Sequence, residues 1–147
     1  MRGWLAVPGH VWTAPNTLAG LVAGLLGMPF GARPYRYHDA LAFRRMPRFF
    51  GALTLGGVIL HGDQSLDVLV PTYSARLRPA ARVRRVSLGD HERAHVLQYL
   101  MLGPLFVPVY FICGGVSARN PFERAADLFA LTGRGWWPGW RRSCRYH

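Results

Sequence analysis

Ser87-Leu88-Gly89-Asp90-His91-Glu92-Arg93-Ala94-His95 joins a helix start to an HExxH pentapeptide. Ser87 and Asp90 stand at capping-box spacing, so a helix is expected to begin just before His91. It should run to about Leu102, where Gly103-Pro104 breaks it. Residues four apart share a helix face, so His91 and His95 can point their imidazoles at one metal ion, with Glu92 one step round beside it. Ala94, Leu97, Leu100 and Met101 fall on the far side, and His95, Gln98 and Leu102 on the near side. A helix this apolar is expected to lie at the centre of the fold.

Downstream, Asn120-Pro121 opens another helix, with Asn as N-cap and Pro at the first helical position, and Gly133 closes it. This helix carries Glu123-Arg-Ala-Ala-Asp127, with both acids on one face. Read alone, Glu123 stands three residues after Asn120, where a capping-box Glu is common, and Asp127 could be an ordinary surface residue. The chain has only 7 acidic residues, and Asp90, Glu92, Glu123 and Asp127 all fall in or beside the two motifs.

HExxH followed by ExxxD resembles the gluzincin metallopeptidases. The fuller pattern, Glu123-x-x-Ala126-Asp127-x-x-Ala130, is similar to that of membrane-associated gluzincins related to the prenyl-protein endopeptidases. The resemblance spans about Ser87 to Leu131 and does not extend to the N-terminal half. It implies a zinc ion held by His91, His95 and Glu123. It also implies Glu92 as the general base that takes a proton from a zinc-bound water and passes it to the leaving amine. Asp127 would then accept a hydrogen bond from a ligand histidine, His91 being the candidate. Such enzymes also need a donor for the developing oxyanion; Tyr110, between the two motifs, is the candidate. The substrate would be a peptide or protein, paired with an edge strand for which Gly51 to Leu60 is the analogue.

The rest of the chain bounds this reading. A length of 147 residues allows one domain and no second lobe. The 18 basic residues, all Arg, leave a net charge of +11, which attracts anionic membranes and nucleic acids and says nothing about fold. Cys113 and Cys144 are too few for a disulfide framework and lack metal-ligand spacing. No clear secretory signal opens the chain, so a membrane-associated or cytoplasmic protein is expected.

Residues 3 to 32 carry no formal charge, and Thr17 to Gly27 reads as an apolar helix of about eleven residues, short of the roughly twenty a bilayer needs. Gly20, Gly24, Gly27 and Gly31 offer a small-residue face for close helix packing. Gly31 to Tyr37 reads as a turn or linker, Gly51 to Leu60 as one strand, His61 to Gln64 as a turn, and Leu66 to Val70 as a second strand. Arg76 to Arg85 holds five arginines, either an anion-facing patch or a solvated loop and edge strand, and leads into a short strand at Val83 to Leu88.

Val96 to Ala118 has 23 uncharged residues, a length that could cross a membrane, but its prolines and glycines argue for a buried helix end followed by irregular chain. Arg134 to His147 sets three tryptophans among four arginines, a mixture that suits a membrane interface. The same mixture could stack on single-stranded nucleic acid, but no repeated aromatic positions elsewhere support that.

Together these readings predict a single α+β, zincin-like domain. It has an apolar N-terminal helix at about 16–28, a small antiparallel sheet, a metal-site core at about 87–132 and a Trp/Arg tail at 133–147. The expected activity is zinc-dependent peptide-bond hydrolysis beside a membrane. The alternatives are a zincin-fold binding or assembly protein that hydrolyses nothing, and a basic nucleic-acid-binding module.

Overall fold

The computed structural model describes residues 6–47, 51–73, 75 and 84–139. The arginine-rich run at 76–83, residues 48–50 and the last part of the tail, 140–147, lie outside the described residues. Helices α1 (Ala6–Trp12) and α2 (Ala14–Gly27) lead through a 3-10 turn to strands β1 (Arg33–Tyr37), β2 (Ala40–Arg44), β3 (Ala52–Leu55) and β4 (Val58–His61). Strands β5 (Leu69–Pro71) and β6 (Arg85–Ser87) precede α3 (Leu88–Leu102). A 3-10 turn at Gly103–Leu105, α4 (Phe106–Ile112) and α5 (Pro121–Thr132) complete the chain.

The fold is mixed α+β, as expected, with four strands ordered β1-β2-β4-β3 and a separate antiparallel pair, β5-β6. The larger sheet is not purely antiparallel, because its central pair, β2 and β4, runs parallel. Gly31 lies in a turn, but residues 33–37 form β1 rather than a linker. Pro34 is tolerated there because β1 is an edge strand, where a missing N–H costs no ladder bond. Gly51 to Leu60 is two strands rather than one. Gly56 takes a positive φ of 60° in a two-residue Gly56-Gly57 turn, the hairpin connection that glycine allows without steric cost.

Both faces of this sheet are covered, so every residue of β4 is buried. Strand alternation sends Ile59 to one side, against Ala42, Leu66, Leu88 and Val96, and Val58 and Leu60 to the other, against Phe43 and Leu21. The second side belongs to α2. Its glycine face meets the sheet rather than another helix: a Cβ on Gly20 would lie 2.8 Å from that of Val58, and one on Gly24 would lie 2.4 Å from the Phe43 ring. Gly31 is not part of this face; it closes the following turn with φ 105°. The helix begins at Ala14 with Thr13 at its N-cap, three residues before the expected start at Thr17.

Helix α3 covers the opposite face and packs chiefly against α5. Its start is the one expected, with the Ser87 hydroxyl accepting from the Asp90 N–H at 3.3 Å. Its end at Gly103 is also as expected, but the apolar chain beyond it is helical rather than irregular. Pro104 opens the 3-10 turn and Pro108 sits in the first turn of α4, where a missing N–H breaks no helical bond. Leu88–Ile112 is therefore the one run among the described residues long and apolar enough to cross a membrane, with 33 % of its apolar window buried. Helix α5 starts on Asn120, whose Oδ1 accepts the Phe122 N–H at 2.9 Å, and ends on Gly133 in the left-handed region.

Candidate metal centre

Helix α3 sets His91 and His95 one turn apart, and α5 brings Glu123 to them from across the helix pair. The Oε2 atom of Glu123 lies 3.0 Å from His91 Nε2 and 3.7 Å from His95 Nε2. One ligand atom from each of the three residues falls within 4.8 Å of the others, and all three side chains are buried. Such a group can hold a metal ion. Glu123 is not turned back to cap its own helix, since its carboxylate faces the histidines and also accepts from the Tyr110 hydroxyl.

The electrostatics of this group follow from its hydrogen bonds. His91 is engaged at both ring nitrogens, by Asp127 Oδ1 at 3.1 Å and by Glu123 Oε2 at 3.0 Å. Each of those oxygens is a carboxylate acceptor, so both nitrogens carry hydrogen and the ring is an imidazolium. Burial alone would lower its pKa, but the bonds to Asp127 and Glu123 outweigh it and push the imidazole up to about 10. Burial would likewise raise the Glu123 carboxyl, yet the hydrogen bond from the His91 imidazolium holds it well below the usual carboxylate range. A proton thus sits among the three groups, at the point where a cation would bind them.

Around this centre, Asp127 also accepts the Tyr73 backbone N–H on Oδ2 at 2.7 Å, and the Tyr73 ring stacks on His91 with centroids 5.6 Å apart. Glu92 is buried beside the histidines, and the Thr54 hydroxyl donates to its Oε2 at 2.7 Å. Tyr110 does not point freely into the cleft. Its hydroxyl donates to Glu123, and burial, then the Glu123 charge, push the phenol above its usual range and keep it protonated. Asp90 stands apart from the centre, pairing with Arg93 at 3.2 Å. His61 is held by Tyr35 and the Gln64 carbonyl and is not one of the three grouped residues.

A cleft of about 190 Å³ opens over His91, Glu92, His95 and Glu123. Its walls are apolar: Leu53 and Leu55 from edge strand β3, Val107 and Phe111 from α4, and Val116 beyond it. Leu53, Phe111 and Val116 remain exposed at its rim.

Three partners of the centre were not foreseen in the sequence. Thr54 and Tyr73 reach it from 38 and 54 residues away in the chain, and no local pattern marks them. Gln98 had a signal, because it stands three residues after His95 on the same helix face. Its Oε1 accepts from His95 Nδ1 at 2.8 Å, and its side chain is fully buried. No buried polar side-chain atom among the described residues lacks a partner. Comparisons of the chain with models of protein families, with curated proteins and with solved structures return no match.

Proposed function

We propose that the chain is a zinc metallopeptidase built on a minimal gluzincin-like core, with His91, His95 and Glu123 as ligands. The observation that carries the reading is the convergence of these three buried side chains, from two helices, with a fourth group, Glu92, at their side. Two histidines and one glutamate make the three-ligand set that leaves a coordination position open in hydrolytic zinc sites. Bond lengths near 2.0 Å in a tetrahedron separate ligand atoms by about 3.3 Å. The 3.0 Å and 3.7 Å separations found here bracket that value.

When bound, zinc would polarise the scissile carbonyl and acidify the attacking water. The protein's own groups do the rest. Glu92, with Oε2 held by Thr54, keeps Oε1 to take a proton from the water and return it to the leaving amine. Asp127 holds His91 through Nδ1, which aims Nε2 at the ligand position. Tyr110 steadies Glu123 through its hydroxyl, which becomes available to an oxyanion only when it leaves that carboxylate. The exposed edge of β3 beside the cleft offers backbone groups to an extended peptide.

A membrane-proximal location fits the same protein. Leu18, Val22, Leu25 and Leu26 are exposed on the outer face of α2, and the apolar run Leu88–Ile112 ends on exposed Phe111 and Ile112. The net charge of +11 adds attraction to an anionic surface. A second reading, a binding protein that holds metal without hydrolysis, draws on the occupation of both Glu92 and Glu123 by hydroxyl donors.

Metal analysis and two variants separate the two. The purified chain should hold one zinc, which Glu123→Ala releases. Glu92→Gln should abolish cleavage of an unstructured protein substrate while zinc stays bound. Loss of zinc from Glu92→Gln, or undiminished cleavage by it, would count against the assigned base; zinc binding with no cleavage by the wild type favours the binding protein.

A further inference from the structure

The amide of Gln98 is constrained from three sides. Its Nε2 donates one hydrogen to the Phe122 carbonyl at 3.2 Å and the other to the Trp136 carbonyl at 2.8 Å. Both of its hydrogens are then used, and both go to groups that can only accept. The reverse orientation would set the amide oxygen against two carbonyl oxygens inside a fully buried site. Only one orientation is therefore allowed, and it turns Oε1, an acceptor without hydrogen, towards His95 Nδ1 at 2.8 Å. His95 must answer with a proton on Nδ1.

We infer that Gln98 is the positioning residue that fixes His95 as its Nδ1–H tautomer, leaving the Nε2 lone pair for the metal. It does for His95 what Asp127 does for His91, but by a different means. A carboxylate accepts from either a neutral or a charged ring, whereas this amide has its direction set by two backbone carbonyls. One of those carbonyls belongs to Phe122, the residue before Glu123, so the same side chain ties the His95 ring to the backbone that carries the third ligand. The other, Trp136, lies beyond the end of α5 and closes the site from the tail side.

The link to metal binding rests on the metallopeptidase reading; the tautomer does not, and the experiment keeps them apart. Nitrogen–proton correlation spectra of the metal-free, imidazole-labelled full chain, with the His95 signals assigned by comparison with His95→Asn, read the tautomer directly. Wild type should show the proton on Nδ1. Gln98→Leu removes the acceptor, and should lose that preference together with about ten- to a hundred-fold of zinc affinity, measured by chelator competition. Gln98→Glu restores an acceptor but cannot serve both carbonyls, so it should keep the tautomer and recover at least tenfold of the lost affinity while remaining less stable than wild type.

A wild-type proton on Nε2 would overturn the inference without any variant folding. Equal loss of affinity in the Leu and Glu variants would reduce Gln98 to a structural strut, which also overturns it. If the wild-type chain shows the Nδ1 tautomer yet takes up no zinc, the metal reading fails and the tautomer assignment stands.

Discussion

Zinc added to the metal-free chain at neutral pH should expel at least about one proton for each ion bound. The proton is the one His91 holds between Asp127 and Glu123, where both ring nitrogens donate. A metal needs the Nε2 lone pair, so that proton must leave. With the imidazole raised to about 10, neutral pH lies about three units below its titration, and the observed affinity falls short of its alkaline limit by on the order of 4 kcal/mol. Between neutral pH and about 10, affinity should therefore climb about tenfold per pH unit.

The same group sets how stability changes with pH. A histidine whose folded pKa exceeds its unfolded value stabilises fully below the unfolded value, about 6.5, and that contribution is lost as pH rises through the folded one. The metal-free chain should thus lose stability from mildly acidic pH up to about 10, relative to the zinc-loaded chain, which has already given up the proton. Calorimetric titration in two buffers of different ionisation enthalpy gives the proton count, and Glu123→Ala provides the control. A count near zero at neutral pH, or an affinity flat across that range, would refute the shared proton and with it the electrostatic description of the centre.

Four further outcomes are expected. Thr54→Val removes the hydroxyl that donates to Glu92 Oε2; catalytic turnover should fall at least about tenfold with zinc content unchanged, at a stability cost of about 1.5 to 3 kcal/mol in urea unfolding. Gly24→Ala would drive a methyl into the Phe43 ring, where a Cβ would lie 2.4 Å away, and should destabilise by about 1 to 3 kcal/mol. By contrast Leu26→Ala, on the exposed face of the same helix, should stay within about 0.5 kcal/mol of wild type. Asn120→Ala loses the α5 cap and leaves the Tyr110 and Gly115 carbonyls without its amide, so a loss of about 2 to 4 kcal/mol and weaker zinc retention by the shifted Glu123 should appear together in thermal melts with and without metal.

The two helices of the candidate centre were legible because their boundaries are written locally. Ser87 and Asp90, Gly103-Pro104, Asn120-Pro121 and Gly133 each act within a turn of chain, and spacing of four residues puts His91 beside His95 and Glu123 beside Asp127. The sheet was less legible, since its order is decided by pairings that no window contains. The parallel contact of β2 with β4 depends on where the intervening hairpin folds back, and β1 was hidden by Gly31 and Pro34, which read as turn residues until an edge position excuses the proline. The polar contacts follow the same division: Gln98 lay within reach of its helical neighbour, whereas Thr54 and Tyr73 find their carboxylates only through tertiary packing.

Gln98 and its two carbonyls also bear on what could be excised from this protein. A fragment running from 87 to 132 would contain both motifs and every proposed ligand, and would look sufficient to a motif search. It would lack the Trp136 carbonyl that orients the amide behind His95, the Tyr73 N–H that braces Asp127, and the Thr54 hydroxyl that braces Glu92. Each of these lies outside the fragment, one from the tail and two from the strand-rich half. The smallest unit able to hold the site in this geometry therefore starts before β3 and ends beyond Trp136, which makes the tryptophan segment part of its frame.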